Sequence, residues 1–237
     1  MTCRVFVTID LDWASEHVIE ETLQWFETAN IPVTVFATHE SNSVKQRFSD
    51  IEVGLHPYFH SDSSQGSTPE ETLDTLEQIS WNVPIYRSHR FLDSNPIREW
   101  MRGLGMMASS NVCTDLNPMM PFTHRSGMIE IPISFEDGGY MERGHDLSDN
   151  GKVLQLISES EIFVIVLHPM HFVLNTPNFQ WMRKLKDRTS RQHWNSFDVQ
   201  EIQKMKHEGV GISSFVQEIL AEIQICGCSF EKLSALL

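Results

Sequence analysis

Two histidines four residues apart, His56 and His60, follow a short apolar run, and an acidic segment near the N-terminus, Asp10-Leu11-Asp12, can complete a set with them. Two imidazoles and one carboxylate are the usual three protein ligands of a hydrolytic metal centre that keeps a position open for water. A bare H-x-x-x-H in a chain with 11 histidines also arises from unrelated surface or core residues. The elements that carry these residues separate the two readings.

The chain alternates strand-like and helical stretches. Val5 to Ile9 is a β-rich apolar run that stops at Asp10, and Ser15 to Ala29 has helical spacing with Ile19, Leu23 and Phe26 on one face. Residues 32–37 and 51–55 read as strands, the latter ending at His56. Thr68, Pro69 and Glu71 mark a helix start by N-cap, first-turn proline and capping box. Val83 to Tyr86 is a strand that ends at Arg87. Asn95-Pro96 opens a helix that Gly103 and Gly105 close, and Met106 to Ala108 returns toward the sheet. Ile129 to Phe135 reads as a strand running into Glu136-Asp137, Gly151 to Glu159 as a helix, and Ile162 to Leu167 as a strand ending at His168. Helices follow near Phe197 to His207 and Ser213 to Ile225.

Such alternation implies parallel strands joined by right-handed crossovers. Asp10, Asp12, His56, Arg87, Asp137 and His168 all fall at or just past the C-terminal ends of predicted strands, the edge on which parallel α/β folds build active sites. Scattered structural histidines have no reason to choose that edge.

Composition bounds the rest. The 237 residues, 41% hydrophobic with 12 Gly and 10 Pro, suit one globular domain spanning 1–237, with no repeat or linker to divide it. A formal net charge of −14 argues against nucleic acid as a partner. No apolar run has transmembrane length and the N-terminus does not read as a signal sequence, so the expected location is cytoplasmic. Cys3, Cys113, Cys226 and Cys228 lack C-x-x-C spacing and are expected to be reduced. One basic run, 183–191, holds five cations in nine residues; it reads either as a solvated helix end or loop, or as a grip on a diphosphate or an anionic membrane surface.

The chain resembles the polysaccharide deacetylase-like superfamily, also called the NodB homology domain or carbohydrate esterase family four. Thr8-Ile9-Asp10-Leu11-Asp12-Trp13 matches the first motif and Val33-Thr34-Val35-Phe36 the strand after the first helix. Glu52 to His60 matches the metal-binding histidine motif. Tyr86-Arg87-Ser88-His89-Arg90-Phe91 stands at the arginine motif and Leu167-His168-Pro169 at the last histidine motif. The similarity runs from about residue 4 to 175, and His168 to Asn175 resembles a branch tied to lipopolysaccharide or O-antigen biosynthesis. Three departures stand out. Leu11 separates aspartates that are usually adjacent, His89 occupies a position that is usually proline, and of the fourth motif only Asp137 is a candidate. The resemblance implies a distorted (β/α) barrel of about seven parallel strands.

Amide hydrolysis needs an activated water, a stabilised oxyanion and a proton for the amine leaving group. A divalent metal on Asp12, His56 and His60 would lower the pKa of bound water from about 15.7 toward about 7 and polarise the acyl oxygen. Asp10 is then the expected base, kept ionised by Arg87, and His168 the expected acid with His171 in reserve; the resemblance assigns Asp10 and Asp12 the same roles. Trp13, Tyr58, His89, Arg90, Asp137 and His171 are candidate substrate contacts. Zinc is the default ion, while iron, cobalt, nickel or manganese also suit such a set. The expected substrate is an N-acylated amino sugar, nucleotide- or lipid-linked, of surface polysaccharide biosynthesis. The alternatives are a non-catalytic glycan-binding or assembly protein on the same scaffold and a hydrolase of a non-sugar amide.

Overall fold

The computed structural model describes residues 3–237, and the side chain of Arg191 lies outside that description. Ten strands form one sheet: β1 (Arg4–Asp10), β2 (Val33–Ala37), β3 (Glu52–Leu55), β4 (Ile85–Tyr86), β5 (Ala108–Ser109), β6 (Phe122–Thr123), β7 (Ile129–Glu130), β8 (Phe135–Glu136), β9 (Ile162–Leu167) and β10 (Ser229–Phe230). Their order is β6-β7-β5-β4-β3-β2-β1-β9-β8, with β10 alongside β1, and among the described residues only the β6–β7 pairing is antiparallel. The sheet curls into a half-barrel. Its two flanks meet in an isolated parallel bridge between Cys113 and Ile133 rather than in a continuous ladder. The fold is thus the expected mostly parallel α/β barrel, left incompletely closed.

The helices are α1 (Glu16–Thr28), α2 (Asn42–Gln46), α3 (Pro69–Leu76), α4 (Asn95–Gly103), α5 (Asp137–Glu142), α6 (Gly151–Glu159), α7 (Pro169–Val173), α8 (Phe179–Asp187), α9 (Arg191–Trp194), α10 (Val199–Met205) and α11 (Ile212–Cys226). The start of α3 is capped as its sequence indicates: Thr68 Oγ1 accepts the Glu71 N–H at 3.3 Å. Glu71 in turn reaches back to the Ser67 N–H rather than to that of Thr68, at 2.7 Å. Residues 129–135 do not form one strand. Pro132 has no N–H for a ladder, and the stretch divides into β7 and β8 on opposite flanks of the sheet. The basic run, read as a helix end or loop, is largely helix α8.

Side-chain parity fixes what faces the interior, because successive strand residues point to opposite faces. Val5, Val7 and Ile9 of β1 and Phe163, Ile165 and Leu167 of β9 pack outward against the helices in the larger core cluster. Phe6, Phe36, Ile85, Val164 and Val166 fill the inside of the curl. Continuing the inward parity past each strand end gives Asp10 after Phe6, His56 after Gly54, Arg87 after Ile85 and His168 after Val166. Register aligns these ends, since Ile9 pairs with Leu167, Ala37 with Leu55 and Leu55 with Tyr86. The opposite end of the curl is plugged by the C-terminus: the Leu233 N–H donates to Thr34 Oγ1 at 3.0 Å and the Ser234 N–H to Glu52 Oε2 at 3.1 Å.

Close approach of β3 to β4 depends on Gly54. A Cβ there would lie 2.3 Å from the Ile85 carbonyl oxygen and 3.1 Å from the Phe36 ring. Gly54→Ala is therefore expected to cost about 1–3 kcal/mol by overpacking, read as a lower urea midpoint with little change in slope.

Candidate metal centre and active-site cleft

Three strand ends supply one cluster of donor atoms. After β1 the chain turns sharply: the Leu11 N–H still bonds to the Phe36 carbonyl at 3.1 Å, and Asp12 and Trp13 then take left-handed conformations with φ of 45° and 55°. After β3 the His56 N–H bonds to the Ala37 carbonyl at 2.9 Å. Buried Gln65 pins the segment beyond, its amide donating to the carbonyls of Thr38 and His56 at 3.0 and 3.1 Å while its oxygen accepts the Tyr58 N–H at 2.7 Å. After β4 a single 3-10 turn over His89–Phe91 folds back, tied by the His89 N–H to the Pro57 carbonyl at 2.8 Å. Left-handed φ values of 57° and 55° at Arg90 and Phe91 complete that reversal.

The outcome is that Asp12 Oδ1 lies 3.1 Å from His56 Nε2 and 2.9 Å from His89 Nδ1. A cation with ligand bonds of about 2.0–2.2 Å holds neighbouring donors roughly 3 Å apart, so this spacing fits a divalent ion. Two imidazoles and one carboxylate are also the right chemistry, and the three form a potential ion-holding group. Buried His56 Nδ1 has no hydrogen-bond partner, its nearest carboxylate oxygen being Asp10 Oδ2 at 3.9 Å. That is the position of an outer carboxylate that orients a ligand imidazole.

The structure does not bring His60 into this group. Residues 56–60 form neither a helix nor a strand, the regular elements in which a four-residue spacing puts two side chains on one face. His60 is 48% exposed, stacks on Tyr58 with ring centroids 5.3 Å apart, and accepts the Asp62 N–H at 3.2 Å. His89, expected from its sequence to touch substrate, stands in the third place. Trp13 and Tyr58 hold its ring edge-to-face at 5.1 and 4.7 Å.

Two buried ion pairs flank the group. Arg87, fully buried, donates from Nη1 to Asp10 Oδ1 at 2.8 Å and to Thr8 Oγ1 at 2.7 Å, and its other nitrogens bond to the carbonyl and hydroxyl of Ser110. Its guanidinium lies over the Phe36 ring at 4.3 Å. Opposite, His168 Nδ1 is 2.5 Å from Asp137 Oδ1, and its backbone N–H donates to Asp137 Oδ2 at 2.7 Å. His168 Nε2 points toward the ligand group, 3.7 Å from Asp12 Oδ2.

Burial opposes charge on His168, but the surrounding carboxylates of Asp137, Asp12 and Glu136 outweigh it and hold the imidazole well above its usual pKa. Burial likewise works against ionised Asp12 and Asp137. The neighbouring histidines prevail and keep both below the usual carboxylate range. Burial pushes Glu136 up to about 7 and His171 down to about 4. Asp137 is wholly buried against the His168 ring. His171 is held neutral with Nδ1 near Thr176 Oγ1 at 3.2 Å, a poorer acid than His168. Glu136, Gln65 and Ser110 were not legible as site residues, because none belongs to a ligand or acid–base spacing pattern.

These residues border a cleft with two lobes. One, of about 340 Å³, is lined by Asp10, Asp12, His56, Glu136, His168 and His171 among others. The other, of about 290 Å³, lies toward Trp13 and Tyr58. Among Arg183, Lys184, Lys186 and Arg188 of the basic run, only Lys186 lines either lobe.

The family model for WbmS-like polysaccharide deacetylases matches residues 7–186. The chain belongs to this family. A candidate polysaccharide deacetylase involved in O-antigen biosynthesis from Bordetella bronchiseptica superimposes with a TM-score of 0.78 at 23% identity, over 92% of this chain and 90% of that one. A candidate polysaccharide deacetylase from Mycobacterium smegmatis gives 0.55 at 14% identity, over 99% and 88% of the respective chains. The Bc1960 peptidoglycan N-acetylglucosamine deacetylase, in complex with 4-naphthalen-1-yl-N-oxidanyl-benzamide, gives 0.51 at 14% identity, over 99% and 87%. No curated protein matches the chain. Membership in the WbmS-like family and the half-barrel agree with the resemblance read from the motifs.

The geometry predicts one divalent ion per chain in protein purified without chelators. Asp12→Ala and His89→Ala are expected to remove it while His60→Ala keeps it, as measured by elemental analysis of folded samples. Metal retained in His89→Ala and lost in His60→Ala would overturn the ligand set.

Proposed function

We propose that this WbmS-like deacetylase is a metal-dependent hydrolase that removes an N-acyl group, an acetyl, from an amino sugar on its way into a surface polysaccharide or lipopolysaccharide. The observation that carries the reading is the placement of the Asp12–His56–His89 group between two oppositely organised pairs, Asp10–Arg87 and Asp137–His168, around one cleft. The O-antigen association printed for the Bordetella relative supports the polysaccharide setting. A nucleotide- or lipid-linked form of the sugar and a cytoplasmic location belong to the same proposal. Among the described residues no helix is long and apolar enough to cross a membrane. Zinc is the proposed ion, with iron, cobalt, nickel or manganese able to use the same donors.

A bound divalent ion would polarise the acyl oxygen and acidify the attacking water. The chain does the rest. Asp10 accepts the proton of that water, and Arg87, unable to leave its buried site, holds that carboxylate in place. As the water oxygen bonds to the acyl carbon, the carbon–nitrogen bond breaks and the amine takes a proton from His168 Nε2. Asp137 accepts the Nδ1 proton of the imidazolium and so directs its Nε2 proton into the cleft. A purely glycan-binding protein would have no use for a base and an acid held on opposite sides of one donor group.

Acetate release from N-acetylated amino sugars tests the reaction. Asp10→Asn is expected to retain the metal and lose about 10²–10⁴-fold in kcat. The same change leaves Arg87 buried without its carboxylate, so thermal melting should fall by the equivalent of about 3–5 kcal/mol. Full activity in a folded, metal-loaded Asp10→Asn protein would refute its role as base.

Asp137→Asn carries a pH signature. His168 acts as an acid only when protonated, and Asp137 helps to hold its pKa up, so activity persists until pH passes that raised value. Removing the charge lowers the pKa and moves the alkaline limb of the kcat/KM profile to lower pH. An unmoved limb would detach Asp137 from the acid.

A further inference from the structure

Two cations reach the cleft beside the metal group. In a protein of formal net charge −14, Arg90 and Lys186 both line the two lobes of the cleft. Among the described residues neither forms an ion pair. Each instead lies against an aromatic ring: the Arg90 guanidinium is 6.0 Å from the Tyr58 centroid and Lys186 Nζ is 5.4 Å from that of Trp194. The rings restrict where the cations can go without neutralising them. Asp12 and Asp62 line the smaller lobe with them, and the Asp62 side chain is 83% exposed.

The two cations come from separate elements, the turn after β4 and helix α8, and converge on one cavity of about 290 Å³ floored by Trp13 and Tyr58. That volume accommodates a monosaccharide-sized group or a phosphoryl arm. Arg90 is also held in a left-handed conformation directly after the metal-group residue His89, so its side chain is directed by the same turn that builds the centre.

We propose that the acylated sugar carries an anionic substituent, and that Arg90 and Lys186 bind this group while the acyl-amino end lies at the Asp12–His56–His89 group. The proposal rests on the deacetylase reading above and narrows its substrate to a charged sugar, phosphorylated or carboxylated, rather than a neutral glycan. Phosphate, diphosphate and carboxylate share the chemistry that an arginine fork and a lysine ammonium recognise.

Calorimetry on the metal-loaded full chain separates binding from turnover. The probes are N-acetylglucosamine 1-phosphate, its nucleoside-diphosphate-linked form, an N-acetylated aminouronate and the neutral methyl glycoside of N-acetylglucosamine. At low ionic strength at least one anionic sugar is expected to bind about tenfold or more tightly than the neutral glycoside, an advantage that shrinks as salt is added. In the Arg90→Gln/Lys186→Met double variant the ratio of the two affinities should collapse toward one. Preference for the phosphorylated probes identifies a phosphoryl arm, and preference for the uronate a carboxylate. Equal binding of charged and neutral sugars by the unaltered protein, or an undiminished ratio in the double variant, would overturn the proposal. Anionic preference without acetate release from any probe would instead sink the deacetylase reading and leave this recognition standing.

Discussion

A single buried guanidinium holds the active end of the molecule together. Arg87 has no exposure to solvent, and an arginine remains charged at any physiological pH. Its charge therefore has to be met inside the curl by Asp10 from β1, by Thr8 one inward position earlier and by Ser110 beyond β5, with Phe36 of β2 beneath it. Those four partners stand on two strands and on the segment that follows a third. Each must arrive in register, since an unmatched buried charge is among the costliest defects a core can contain. The strand-end geometry of the cleft follows from meeting that demand.

A second buried pair supports the first from behind. Glu130 on β7 accepts from Arg98 of α4, from Ser109, and from the backbone N–H groups of Asn111 and Val112. These bonds set the course of the segment that presents Ser110 to Arg87, and Asn111 in turn accepts the Ser88 N–H beside it. The turn that carries His89 is thus anchored at its start by a network two layers deep. Arg87, Asp10 and His56 stand at strand ends, whereas His89 and the cations at the mouth of the cleft sit on a turn and on α8.

Much of this was legible in the sequence because four of the candidate site residues end strand-like runs. Val5–Ile9 into Asp10, Glu52–Leu55 into His56, Val83–Tyr86 into Arg87 and Ile162–Leu167 into His168 are strands whose last inward position is polar, and strand parity needs no tertiary information. The exchange of His60 for His89 was not legible. It depends on two consecutive left-handed residues, Arg90 and Phe91, neither a glycine nor an asparagine, so no local signal announces the reversal. The division of 129–135 by Pro132 was available in principle but masked by the β-branched residues around it. Helices α5 and α7 begin immediately after β8 and β9 or one residue later, and five or six residues are too few for a period to register.

The paired left-handed residues on the two loops, Asp12–Trp13 and Arg90–Phe91, have a bearing on how this protein can change. A side chain in that conformation costs roughly 1–2 kcal/mol relative to a relaxed backbone, and glycine would recover much of it. Yet Asp12 contributes the shared donor oxygen and Trp13 steadies the His89 ring, while Arg90 supplies charge to the outer lobe. The routes by which these loops could become more stable are the same ones that would dismantle the cleft. Selection for robustness alone would push the chain toward a better-folded half-barrel without this cleft.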